Sequence, residues 1–328
     1  MARKANATQW RNELIAAFSE GDEARTRAWV SQLGARKARP LLEAMLDDPD
    51  AAVRQAAAFG LGELGGTASA RRLEHQLALE EARKDHDGAS VAEAVTQALG
   101  RIQGANARSS LLRRMERLVA ANGPEPADLN DVSRALWRQR HSDLIPFLRQ
   151  LLEKFALPAP TSLHGLLVLL EKAPEELQAW AADGSVPIEL KGEVLTVLAE
   201  EIPEALVPTL PAFISSALPL VDTAVKYKGA ASGYCTDMFS LLLLHPGHLL
   251  PLLPEAALAT LRDMARRLVA ATPALKCALQ AAVLLKHLGH PEDAAHIEAH
   301  RPADPVLAKV FDDAARVLRG RTSSERIV

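Results

Sequence analysis

The sequence predicts an all-α fold, a right-handed α-solenoid of antiparallel helix pairs. Apolar residues recur at helical spacing along the chain, and no window shows the period-two alternation of a strand. Ala and Leu dominate while aromatics make up only 4% of the 328 residues, as expected where helices pack through small side chains. A helix–turn–helix unit also recurs at a fixed distance. Two short antiparallel helices cannot bury both apolar faces alone, so each pair needs a neighbour of its own kind.

In chain order, residues 8–19 and 22–33 read as two helices joined at Glu20-Gly21. In 41–66, LLEAMLDDPDAAVRQAAAFGLGELGG, an apolar face of Leu41, Leu42, Met45 and Leu46 precedes Asp47-Asp48-Pro49-Asp50. That turn stops one helix and starts another, since proline suits a first helical turn and acids suit its positive dipole end. The second helix sets Val53, Ala56, Ala57, Gly60, Leu61 and Leu64 on one side, and Gly65-Gly66 ends it. A third unit has helices at 67–86 and 89–102. Val53/Val91, Ala56/Ala94, Leu61/Leu99, Gly62/Gly100 and Leu64/Ile102 all share one offset of 38 residues.

Asp48, Pro49, Val53, Arg54, Ala57, Leu61 and Gly62 follow the pattern Asp-Pro-x-x-x-Val-Arg-x-x-Ala-x-x-x-Leu-Gly. On these residues the stretch 41–104 resembles the HEAT-repeat family, in the short bacterial form related to phycobilisome-lyase HEAT-like repeats. Ala92 stands in place of the second arginine, and Asp87-Gly88 in place of the Asp-Pro turn. The resemblance implies HEAT-like repeats over 1–104, a divergent continuation of the solenoid over 105–319, and a flexible tail over 320–328.

The rhythm continues through helices at 106–121, 129–140, 143–155, 162–171, 174–182, 187–200, 203–217 and 220–227. Gly229–Gly233 reads as a small-residue break. Helices follow at 235–244, 249–253, 255–271, 273–288, 291–299 and 305–318. Ala281, Leu284, Leu288, Gly289, Glu292, Ala294 and Ile297 resemble the turn of a tetratricopeptide repeat, which implies a TPR-like end to the solenoid.

A net charge of −3 gives no global pull toward nucleic acid or anionic membrane. Two distant cysteines, Cys235 and Cys277, make no disulfide framework and read as cytoplasmic. The N-terminus lacks the apolar run of a signal peptide. The most apolar stretch, 238–258, is interrupted by His245, Pro246, His248, Pro251 and Pro254, so it reads as proline-broken helices, and no membrane insertion is expected.

Charge is unevenly spread. Residues 101–154 carry ten Lys and Arg against six acids, net +4, whereas 155–225 carry ten acids against Lys172 and Lys191, net −8. Arg101, Arg108, Arg113, Arg114, Arg134, Arg138 and Arg140 form either a basic groove for phosphate or an acidic protein, or solvated helix faces. No aromatic–basic interleaving accompanies them. An acidic concave face suits a basic peptide or protein.

Candidate chemistry is sparse. His287, His290, His296 and His300 crowd the C-terminal part, and His296 and His300 share a helical face as metal ligands would. Surface histidines near a turn fit the same spacing. Cys235 begins a helix after a small-residue break, where a thiol could be activated or an anion held. A buried cysteine after a tight turn fits equally.

Among HEAT-like enzymes, deoxyhypusine hydroxylase resembles this chain in fold class but needs repeated His-Glu pairs, and the sequence holds no His-Glu dipeptide. HEAT-like alkylpurine DNA glycosylases use tryptophans against DNA. Trp10, Trp29, Trp137 and Trp180 match no local motif of theirs, and core burial is the alternative for each. The sequence therefore reads as a non-catalytic protein-binding scaffold or adaptor, with another protein as partner and no cofactor. The alternative is a nucleic-acid-binding protein or HEAT-like DNA glycosylase acting through 101–154.

Overall fold

Asp22, Asp50, Asp85 and Asp304 each start a helix, their side chains accepting from its first-turn N–H groups. The computed structural model describes residues 7–121 and 123–321, and among these it contains twenty α-helices, four short 3₁₀ segments and no strand. The fold is an all-α solenoid of helix pairs, as the sequence predicts. It divides into two compact units, 1–156 and 157–328.

The first unit holds α1 (Ala7–Ser19), α2 (Glu23–Leu33), α3 (Ala35–Met45), α4 (Ala51–Leu64), α5 (Gly66–Arg83), α6 (His86–Arg101), α7 (Ala105–Ala120), α8 (Pro126–Gln139) and α9 (Leu144–Lys154). Asp22, Asp50 and Asp85 cap α2, α4 and α6, accepting from the N–H groups of Arg25, Ala52 and Gly88. Helix α3 starts before the 41–46 stretch and carries Pro40 inside it. The proline removes only the bond to the carbonyl of Arg36, which lies in an exposed first turn that water reaches. Pro49 lies just outside α4, ahead of the Asp50 cap, rather than in its first turn.

Helices α2, α4, α6 and α8 pack one on the next as a row, and α3, α5 and α7 each pack on the following row helix. The row continues across residue 104 without interruption. It is close-packed because of two glycines. A Cβ on Gly62 would lie 3.0 Å from the backbone and side chain of Ala98, and one on Gly100 would lie 2.9 Å from Ala135. Only glycine lets the helix backbones come this near.

A buried ion pair ties each face of the second repeat together. Arg54 Nε and Nη2 donate to the Glu80 carboxylate at 2.7 and 3.1 Å. Its Nη1 donates to the carbonyls of Asp48 and Pro49 at 3.0 and 2.9 Å, which satisfies the turn after α3. Gln76 Nε2 adds a bond to Glu80 at 2.6 Å.

The second unit holds α10 (Ser162–Glu171), α11 (Pro174–Ala182), α12 (Ile188–Leu198), α13 (Leu210–Ala217), α14 (Val221–Lys226), α15 (Ala230–Leu244), α16 (Pro246–Leu249), α17 (Glu255–Leu268), α18 (Leu275–Leu288), α19 (Asp293–Ala299) and α20 (Pro305–Arg319). Here α10, α12, α15 and α18 form the row, with α11, α13 and α17 packed in succession beside it. The stretch 203–217 is a 3₁₀ segment, Glu204–Thr209, running into α13, since Pro208 and Pro211 deny it regular α-helical bonding.

Gly229–Gly233, expected as a break, instead forms the first turn of α15. Ser232 Oγ accepts from the Gly229 N–H at 3.0 Å and caps it. Ala281, Leu284, Leu288, Ala294 and Ile297 are all buried, so the TPR-like residues form the packed side of the α18–α19 turn. The run Glu204–Lys226, mean hydropathy 1.4, is long and apolar enough to cross a membrane by length and composition. Within it Phe213, Ile214, Ala217, Val221 and Ala224 are buried in the unit. The tail expected from 320 lies outside the described residues beyond Arg321, whose guanidinium bonds the carbonyls of Gly289 and Lys286 at 2.8 and 2.6 Å.

Substituting Gly100→Val should destabilise the first unit by about 1–3 kcal/mol through overpacking against Ala135. Arg54→Met alone should cost about 3–5 kcal/mol, and Arg54→Met with Glu80→Leu should recover most of that. Urea unfolding midpoints of the three variants check both outcomes.

Candidate binding surfaces

The arginines of 101–154 meet acids of neighbouring repeats. Arg113 Nε donates to Glu74 at 2.7 Å, Arg117 Nε to Glu81 at 3.0 Å and Arg108 to Asp143 at 3.0 Å, pairs separated by 39, 36 and 35 residues. Arg101 stacks over Phe59, 4.3 Å from the ring centroid, with Glu23 and Glu63 at 3.6 and 3.8 Å. Linear windows count these cations as an excess, but the preceding repeat supplies much of the counter-charge.

Arg114 is a correction to the expected groove. It is 1% exposed, its Nη1 donates to the Ala92 carbonyl at 2.8 Å, and Nη2 reaches Asp128 at 3.2 Å. Burial lowers its pKa from the usual arginine value, opposed by Glu81 and Asp128. The reason is local. Ala92 is the counterpart of Arg54, and the guanidinium missing there is supplied by Arg114 from α7 instead.

Of the other expected residues, Arg134 and Arg138 are half-buried and four apart on one side of α8. Arg140 lies 5.1 Å from the ring centroid of Trp137, which is itself buried. The seven arginines thus divide. Arg101, Arg134 and Arg138 belong to the row helices, Arg140 follows the end of α8, Arg108 and Arg113 pair with Asp143 and Glu74, and Arg114 is interior.

The thiol of Cys235 sits more than a turn into α15 and is fully buried. Burial, with Cys277 beside it, pushes its pKa up to about 12, the reverse of an activated thiol. His296 and His300 do share a face, with ring centroids 4.6 Å apart. Their nitrogens engage backbone, His296 Nε2 at the Arg266 carbonyl and His300 Nδ1 at the His296 carbonyl, 2.7 and 2.9 Å away. Among the described residues no group of three or more His, Cys, Asp or Glu is placed to hold a metal.

The acidic stretch also meets some counter-charge from elsewhere in the unit, as Asp222 pairs with Arg267. Lys191, one of its two cations, is buried and donates to the carbonyls of Ala181 and Asp183 and to Ser216 Oγ, at 2.7, 2.9 and 3.1 Å. It caps the end of α11, and its charge acts on the Asp183 carboxylate without a direct bond to it. Glu175, Glu189 and Glu204 are exposed. Glu193 on α12 is half-buried near Asp237 on α15, and burial together with Asp237 pushes its pKa up to about 7. Burial and Glu93 likewise push Asp131 up to about 6. Neither pairing is visible in the sequence, because only helix packing brings those positions together.

Residues 38–121 match the family model for HEAT repeats. They are HEAT repeats, and they extend over α7. No curated protein matches the chain. Among solved structures, the complex of CpcE and CpcF of phycocyanin lyase from Nostoc sp. PCC7120 is similar at 16% identity. The match covers 85% of this chain and 94% of that one, with a TM-score of 0.30.

Arg114→Met should destabilise the fold by about 1–3 kcal/mol, through loss of the buried bond to the Ala92 carbonyl, while Glu81 keeps Arg117 and Asp128 reaches solvent. Arg113→Ala, which breaks an exposed pair, should cost at most about 1 kcal/mol. Glu193 has a folded pKa near 7, above its ordinary 4.5. Its contribution to stability is therefore fully present below the lower value and lost as pH rises through the upper one. Glu193→Gln should flatten the urea midpoint between about pH 5 and pH 8 and raise it at the alkaline end.

Proposed function

We propose that this chain is a non-catalytic helical-repeat scaffold that holds another protein through a Lys/Arg-rich segment of that partner. The acidic stretch of the second unit is the docking surface. The observation that carries this reading is the fate of Lys191, whose ammonium goes to carbonyls and a serine rather than to any of the ten acids of 155–225. Exposed Glu175, Glu189 and Glu204 project that field into solvent, where complementary charge speeds encounter and selects partners. HEAT repeats over 38–121 support a scaffold role, since stacked repeats offer extended surface rather than one closed site. In this reading the protein works in the cytoplasm and needs no cofactor.

Fluorescence anisotropy of a labelled Lys/Arg/Gly peptide, titrated with the full chain over a salt series, tests the proposal. Binding should weaken as salt rises and fall about tenfold in the triple variant Glu175→Lys, Glu189→Lys, Glu204→Lys. No binding at low salt overturns the reading. So does tighter binding of a labelled DNA duplex, which would favour a nucleic-acid role for 101–154.

A further inference from the structure

Within the second unit a cavity of about 460 Å³ opens between the α11–α12 turn and the end of α13. Val186, Pro187 and Ile188 line one side, and Ser215, Pro219 and Leu220 the other. Its volume lies in the range of small-ligand clefts and amply holds one large side chain. The wall is mixed, and three serines, Gly184 and Lys191 supply nearly as much polar surface as its apolar residues do. All three protons of the Lys191 ammonium are committed to Ala181, Asp183 and Ser216, so it offers no free donor to an anion. Leu218, next to the lining Pro219, is 41% exposed and adds an apolar lip.

Acids outnumber cations in the sequence around this hollow, where Lys191 is the one cation of the wall. Every lining residue falls between 182 and 220, inside the stretch of net −8. Asp183 precedes the lining Gly184, and Glu189 follows the lining Ile188. The N–H and hydroxyl of Ser185, both at 2.8 Å, fix the Asp183 carboxylate and hold its pKa below the usual value. The groove therefore sets the apolar side chains of Val186, Ile188 and Leu220 next to a segment that carries the Asp183 and Glu189 carboxylates.

We propose that this groove seats one large apolar side chain, Leu or Phe, from the Lys/Arg-rich segment of the partner protein. The inference rests on the docking reading above and names its anchor point. Apolar burial supplies the anchor, while flanking cations answer the carboxylates.

Three labelled peptides of equal length test it: Lys/Arg/Gly alone, the same with one central Leu or Phe, and a neutral Ser/Gly peptide with that apolar residue. Each is titrated against the full chain and two groove-filling variants. Ser215 is exposed, and its hydroxyl bonds only the Pro211 carbonyl, so Ser215→Trp fills the groove from the rim. A Cβ on Gly184 meets nothing within 4 Å, so Gly184→Leu is a second filler should the first misfold. The apolar residue should tighten cationic-peptide binding about tenfold, and either variant should erase that gain but leave the Lys/Arg/Gly affinity intact.

Equal affinity of the two cationic peptides, or a gain that survives in both variants, overturns the groove and leaves the docking reading standing. A neutral peptide that binds as well as its cationic counterpart overturns it too. So does a dimer that Ser215→Trp abolishes, since the groove would then hold a second copy of the chain. If neither cationic peptide binds, the docking reading itself fails.

Discussion

The approach of α4 to α6 and of α6 to α8 sets the geometry of the first unit. At Gly62 and Gly100 a side chain would meet Ala98 and Ala135 at 3.0 and 2.9 Å, so both contacts demand glycine facing alanine. Backbone proximity of this kind fixes the axial register of each helix against the next, since sliding would drive bulkier residues into the contact. Once register is fixed, residues one repeat apart become neighbours. Arg113 then reaches Glu74, Arg117 reaches Glu81, and Asn106 reaches Thr67.

That register explains why a running charge count misleads in this chain. Part of the +4 of 101–154 is met across the helix contacts by Glu23, Glu63, Glu74 and Glu81, which lie earlier in sequence, and Arg114 leaves the surface altogether. Arg54 and Arg114 also show two routes to one structural need. Both guanidiniums bond backbone carbonyls and both meet a glutamate of α5, although Arg54 extends from α4 to the turn before it and Arg114 from α7 to Ala92 within α6. The second unit answers part of its charge in the same way, since Arg267 pairs with Asp222 and Arg266 with Asp293 across helices. Its buried lysine serves as a helix cap, Glu175, Glu189 and Glu204 extend into solvent, and Glu193 and Asp237 crowd each other.

Much of the fold was legible in the sequence because helical periodicity, acidic caps and a 38-residue repeat are local or regularly spaced signals. The place of Arg54 was legible as well, since the repeat pattern puts that arginine shortly after the Asp48-Pro49 turn, while its partner Glu80 emerged only from the packing of α4 on α5. Two elements were not. Helix α3 reaches back through Pro40 because an exposed first turn tolerates the missing bond, and α15 runs through Gly229–Gly233 because Ser232 caps it. Propensity disfavours both segments, and packing overrode it.

By itself the sequence determined the secondary structure class, the repeat and its period, and the uneven distribution of charge. These depend on residue type and spacing along the chain. Which charges face solvent, which carboxylates share a site and where a hollow remains were decided only by tertiary structure. Burial and ion pairing depend on distances between helices that sequence separation does not encode. Arg114 and Lys191 carry that difference most plainly, because each is a cation in the count and a structural group in the fold.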